Sequence, residues 1–282
     1  MSKTRAIAIY LADVRLPIGH ARLEAYRAGG NDLDMLARYY WNIALGESLY
    51  PALSSLEVTL RNSIHQSGAR FFTNDRWFDD PRALPLQTRE QTQLTDAKQE
   101  LLRRGRPLEV GRIIAELPFA FWTGLLNAPY ERRLWAPQTA LGLLPGVFPF
   151  VPNRYRSRQP LFDRVNKVRF LRNRIAHHEP IWNWTRPSLD VQHREIIETI
   201  GWMNPAVQRT IARRPLRCRR RAWPRRGAGT RAGDGEEHRN GAASSPLRTM
   251  RETRLEWSDA ATNPTLIIAA QALRVADHLK SR

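Results

Sequence analysis

The segment Arg172-Asn173-Arg174-Ile175-Ala176-His177-His178 gathers, in a very short stretch, residue types that could cut a phosphodiester. An imidazole can take or give a proton near neutral pH. A guanidinium can clamp a phosphate and neutralise the charge that builds on it in a transition state. An amide can hold either group in register. RNA carries its own nucleophile, the 2′-hydroxyl, so orientation, proton removal and charge stabilisation would suffice. In that division of labour His177 is the base or orienting group, Arg172 the phosphate clamp and Asn173 the positioning group. The same residues have plainer uses. An arginine among apolar residues often snorkels or pairs, and a histidine at the end of a helix complements the dipole. His177 and His178 are adjacent but lack a third ligand nearby, so no metal and no cofactor are expected. Serine and cysteine nucleophile motifs, phosphate-cradling glycine loops and dinucleotide fingerprints are absent.

The elements that would position this set are helices. The clearest runs from Leu161 to about Ala176, with Pro180 and Pro187 ending helical geometry beyond it. At about 100° per residue, Leu161, Val165, Val168, Leu171 and Ile175 form one apolar stripe, with Arg172 near its middle. Arg169, Asn173 and His177 share a neighbouring flank, with Asn166 close by, and His178 lies further round. Arg169 and Arg174 are candidate RNA contacts. An arginine on an apolar stripe must find a partner; Glu57 or a second protomer could supply one. Glu57, Arg61 and His65 lie four apart on another helix and read as an intrahelical ion pair with a neighbour; Glu57, Arg61 and His178 are accessory to the motif or structural.

The rest of the chain is organised around these helices. Residues 1–30 read as an N-terminal arm, in which Arg5 to Tyr10 is a short strand or extended, ending at Gly29-Gly30. Asn31 or Asp32 can cap a helix whose apolar residues begin at Leu33, and Pro51 starts a second helix or kinks the first. Further helices are expected over Gln87–Arg104, ending at Gly105, over Leu108–Trp122 with a break at Pro118, and over Val191–Trp202. Pro137 to Pro152 reads as loop or short turns. No internal repeat and no strand-rich domain is visible.

Composition sets the outer bounds. A 282-residue chain with 42% apolar residues and nine Trp can bury a real core. The single cysteine, Cys218, excludes a disulfide scaffold and fits a reducing cytoplasm. No signal peptide or membrane span is read. The net charge is +18, but ten arginines fall between Ala206 and Arg231 with no acidic residue among them; 18 minus ten leaves +8. Residues 206–250 are rich in Arg, Gly and Ala and cannot bury enough apolar surface to offset their ordering entropy. Such a segment is either an RNA-binding tail or the product of a shifted reading frame, and its abrupt start favours the second. Residues 251–282 form a tail in which Leu266–Leu279 could be a short helix.

The string Leu171-Arg-Asn-Arg-Ile-Ala-His-His-Glu-Pro-Ile181 resembles the Arg-polar-(x)3-His motif of the HEPN superfamily, in the form carried by Abi-like (abortive infection) proteins. Leu56-Glu-Val-Thr-Leu-Arg-Asn-Ser-Ile-His65, Gly111-Arg-Ile-Ile-Ala-Glu-Leu-Pro-Phe-Ala-Phe-Trp-Thr-Gly-Leu125 and Tyr130 through Trp135 resemble further segments of that family, in its order. The likeness spans roughly residues 33–205. It implies an all-α fold: a HEPN-like helical bundle over 31–205 with additional helices, followed by a disordered Arg-rich segment. It also implies a homodimer and metal-independent cleavage of RNA in phage defence or as a toxin, with Arg172, Asn173 and His177 in the motif positions. Expected partners are RNA, an identical chain, and an antitoxin or phage-derived trigger. The same superfamily includes helical modules that bind RNA or protein without cutting, which is the alternative reading.

Overall fold

The computed structural model describes residues 12–136 and 142–212. The strand or extended reading of Arg5 to Tyr10, the disorder expected beyond Ala212 and the helix at Leu266–Leu279 fall outside them. Among the described residues the fold is all-helical, with no strand and a single isolated bridge between Thr185 and Ser188. These residues form two compact units divided after Leu45, inside one long helix rather than at Gly29-Gly30.

In the first unit, residues 12–18 are helical and α1 is His20–Glu24. The described part of the arm expected over 1–30 is therefore helical over 12–18 and 20–24, with turns over 25–30. Leu23, Tyr26 and Met35 are buried, and the Tyr26 and Tyr39 rings meet edge to face at 5.4 Å. The helix α2, Asp32–Phe72, begins here with a reciprocal cap. The Asp34 amide donates to Asn31 Oδ1 at 2.9 Å, and the Asn31 amide donates to Asp34 Oδ2 at 3.3 Å. Asn31 rather than Asp32 is thus the capping residue. Pro51 neither ends α2 nor starts a new helix. It removes one donor from the ladder, and burial of Leu49, Ala52, Leu53 and Leu56 around it offsets that loss.

The second unit holds the remainder of α2, then α3 (Thr88–Arg103), α4 (Val110–Glu116), α5 (Phe119–Gly124), α6 (Leu144–Val147), α7 (Arg158–Ala176), α8 (Leu189–Met203) and α9 (Pro205–Ala212). Leu117-Pro118 separates α4 from α5, as the proline dictates. The short α5 packs against both α3 and α7, and α7 packs against α8. Trp77, Phe78, Phe121 and Trp122 form a chain of ring contacts at the centre. Trp77 lies so close to Gly68 that a Cβ there would sit 2.2 Å from the ring. Several helix ends depart from the boundaries read in the sequence, α8 for one starting at Leu189 rather than Val191. α7 starts three residues early, at Arg158, and α9 extends the fold past Asn204. Asn204 caps α9 through its Oδ1, which accepts from the Ala206 and Val207 amides, and Pro205 takes the first helical position. The arginine-rich segment therefore does not begin at residue 206 as unstructured chain.

Candidate active site

The motif sits at the C-terminal end of α7, and the way that helix stops fixes where its side chains stand. The His178 amide donates to the Ile175 carbonyl at 3.0 Å, and the Glu179 amide donates to the Arg174 carbonyl at 2.8 Å. This is a Schellman closure, with His178 at the left-handed position usually filled by glycine; its φ is 55°. His177 is the capping residue, its amide bonded to the Asn173 carbonyl, and its ring is exposed. The sequence reading of His177 as a helix cap therefore describes its backbone. Its imidazole makes no hydrogen bond or ion pair with another described residue.

Arg174 closes the turn from the outside. Its Nη2 donates to the Pro180 carbonyl at 2.9 Å, its Nε stands 3.3 Å from Glu179 Oε2, and its guanidinium lies 5.0 Å over the Trp184 ring. Three partners on the chain that follows the motif make Arg174 a clasp on that turn. Only Nη2 donates a hydrogen bond among these contacts, so they tie Arg174 to the turn without using all of its donors.

Arg172 finds the partner expected of it. Its Nε lies 3.5 Å from Glu57 Oε2, and its side chain is 41% exposed. It lies at the edge of the buried stripe, not in its middle. The arginine that does lie within the stripe is Arg164, 7% exposed. It is held by Glu195 and Glu198 and enclosed by the Tyr155 and Trp202 rings. Arg164 rather than Arg172 is thus the desolvated arginine, and its carboxylate partners sit on α8, where spacing along α7 cannot reveal them. The contact across which Arg172 meets Glu57 is close: a Cβ on Gly46 would stand 3.2 Å from Ile175.

The Glu57–Arg61–His65 flank does not form the intrahelical pair that its spacing suggests. Glu57 turns to α7. Arg61 reaches the Ala115 carbonyl at 3.5 Å. His65 packs edge-on to Phe78, its carbonyl accepts from Trp77 Nε1 at 3.1 Å, and burial lowers its pKa against the opposing pull of Asp75. Tertiary partners thus outcompete neighbours on the same helix, where an exposed pair contributes only about 0.3–0.5 kcal/mol.

On the flank beside Arg172, Arg169 donates from Nε and Nη2 to Asn166 Oδ1 at 3.0 and 2.8 Å. Burial and the charge of Arg89 both lower its pKa. Asn173 is half-buried, and its side-chain amide has no hydrogen-bond partner among the described residues. The structure thus brings Arg172 and Glu57 together, leaves Asn173 and His177 available on the adjoining flank, and assigns Arg174 to the turn. Arg89 and Phe170 were not singled out from the sequence. Arg89 lies in a polar helix with no local signal, and Phe170 resembles any core aromatic until its 55% exposure is seen. Among the described residues no group of three or more His, Cys, Asp or Glu side chains gathers as a metal would require, and no helix is long and apolar enough to cross a membrane. Comparison with protein-family models, curated proteins and solved structures gives no match.

Proposed function

We propose that this chain is a metal-independent endoribonuclease of the HEPN type, acting in abortive infection or as a toxin. The observation that carries the reading is the disposition of the motif on α7. Arg172 is anchored by Glu57 yet partly open to solvent, while Asn173 and His177 present side chains with no partner among the described residues. Groups so placed are available to a substrate. His177 would remove the proton of a 2′-hydroxyl as that oxygen attacks the adjacent phosphorus. Arg172 would hold the phosphate and neutralise the added charge, and Asn173 would orient either one. The 5′-oxygen leaves, so the products are a 2′,3′-cyclic phosphate and a 5′-hydroxyl. A symmetric homodimer would set two such motifs across a common groove. A cytoplasmic site of action and control by an antitoxin or phage-derived trigger belong to the same proposal.

The alternative, a helical module that binds RNA or protein without cutting, draws support from His177 itself. No carboxylate or carbonyl among the described residues orients its ring, which a general base normally requires. Incubating purified protein with RNA in EDTA decides between them. Cleavage with cyclic-phosphate ends, lost in His177→Ala, supports the nuclease. Equal activity in both proteins sinks it, and activity that needs a divalent ion sinks the metal-free mechanism.

A further inference from the structure

Arg89 lies in the first turn of α3 and Arg169 on α7, two helices that both pack against the same short helix. α5 spans six residues, about 9 Å, and packs against both α3 and α7. The first turn of α3 is seated directly on it: a Cβ at Gly124 would lie 2.4 Å from Glu90 Oε1. Arg89 precedes Glu90 and is exposed, and its charge adds to burial in lowering the Arg169 pKa. Neither arginine has an ion-pair partner among the described residues. Arg169 bonds only to the neutral Asn166, and no Asp or Glu stands three or four residues from Arg169 on its helix. Glu90, the nearest acid to Arg89 in sequence, is buried and already accepts from the Tyr130 hydroxyl at 2.8 Å.

An arginine on each of two helices that share α5, neither with a counter-ion among the described residues, makes a place that an anion would stabilise. Beside them stands Phe170, more than half exposed, with the Arg169 guanidinium 4.8 Å over its ring. On the helix wheel Phe170 lies next to Asn166 and His177. Exposed aromatic and basic side chains placed together are the means by which proteins hold single strands: the cations take phosphates and the ring takes an unstacked base.

We propose that Arg89, Arg169 and Phe170 form a binding subsite for single-stranded RNA, with the two arginines on the backbone phosphate and Phe170 beneath a base. It deepens, and for its meaning rests on, the nuclease reading above, since it would lead a strand along α7 toward His177. A duplex cannot use it, because paired bases are not open to the ring.

The test measures binding, not cleavage. The full chain is titrated against a fluorescein-labelled 2′-O-methyl oligouridylate, which offers no nucleophile, over a series of salt concentrations. Arg89→Gln and Arg169→Gln should each weaken binding and reduce the magnitude of the log–log salt slope by about 0.7. Phe170→Ala should weaken it about tenfold or more while leaving that slope unchanged. The same variant should bind an abasic strand as the parent does, and a duplex should show none of these differences. Circular dichroism confirms that each variant folds. Unchanged affinity in Arg89→Gln and Phe170→Ala overturns the inference, as does a parent protein that binds no oligouridylate. Phe170→Ala that dissociates a dimer but binds RNA normally also overturns it, and assigns Phe170 to a second copy of the chain. Variant-sensitive binding without any cleavage keeps the subsite and removes the nuclease. Cleavage with variant-insensitive binding does the reverse.

Discussion

Replacing Arg172 by alanine separates an arginine that holds the fold from one that acts on a phosphate. Arg172 Nε lies 3.5 Å from Glu57 Oε2, and the two side chains are 41% and 24% exposed. At that separation the bare attraction is about 5 kcal/mol for an effective dielectric of about 20. Screening by solvent and the ordering of two long side chains remove most of it, leaving about 1 kcal/mol for a pair this open. Arg172→Ala should therefore lower the melting temperature by only about 2–4 °C. Its effect on cleavage should be far larger, about 10²–10³ in rate, the usual loss when one donor to a developing oxyanion is removed. Glu57→Gln keeps the guanidinium but loosens its anchor, and should lower the rate about tenfold, or about 1.4 kcal/mol. The informative measurement is the double variant. Once Arg172 is gone, Glu57 has nothing to hold, so Glu57→Gln should add no further loss. Initial rates on one RNA, with thermal melts of all four proteins, complete the cycle. The reasoning fails if Arg172→Ala costs more than about 4 kcal/mol of stability, the mark of a stranded buried charge. It also fails if the rate survives, or if the two single losses simply multiply.

The left-handed His178 should accept glycine without loss of stability, whereas valine, β-branched at positive φ, should destabilise by about 1–2 kcal/mol; denaturant titration of the two variants checks this. Gly68→Ala should cost about 1–3 kcal/mol, because the Trp77 ring occupies the space of the added methyl and is itself buried; a variant that melts with the parent would contradict that packing. Arg174→Ala should lower cleavage by freeing the turn after the motif, yet leave the salt slope of RNA binding unchanged; a smaller slope would return Arg174 to the RNA contacts. His65 and His193 are both held below the ordinary histidine value of 6.5, chiefly by burial. Above that pH both are neutral whether the chain is folded or not; as pH falls through it the unfolded chain binds protons first, so stability declines. Urea unfolding at about pH 7.5 and about pH 5 should show this decline, and the paired substitutions His65→Gln and His193→Gln should flatten it.

The helices were largely legible in the sequence because their causes are local. Asn31 announces a cap, Gly105 and Pro118 end or interrupt helices, and the apolar repeat from Leu161 to Leu171 marks the buried face of α7. Pro51 was misleading for a physical reason: a lost hydrogen bond is a small cost beside the apolar surface buried around it, and only the packed fold reveals that surface. α9 was missed because its composition blends into the arginines that follow, while its stability comes from packing against α8.

For the site, the sequence by itself determined which residue types lie within one turn of each other: Arg172, Asn173 and His177, on a helix that must stop before Pro180. It could not determine which charges meet across helices. The sequence offered Glu57 both to Arg61 on its own helix and to Arg172 across helices, and the fold selects Arg172. Spacing made Arg172 the desolvated arginine, whereas the fold buries Arg164 against α8 and leaves Arg172 partly open. Nor could spacing show that the returning chain brings Pro180, Glu179 and Trp184 against Arg174. Local order along a helix follows from its period, so the sequence carries it. The partner of a charge depends on distances between segments far apart in the chain, and only tertiary packing sets those.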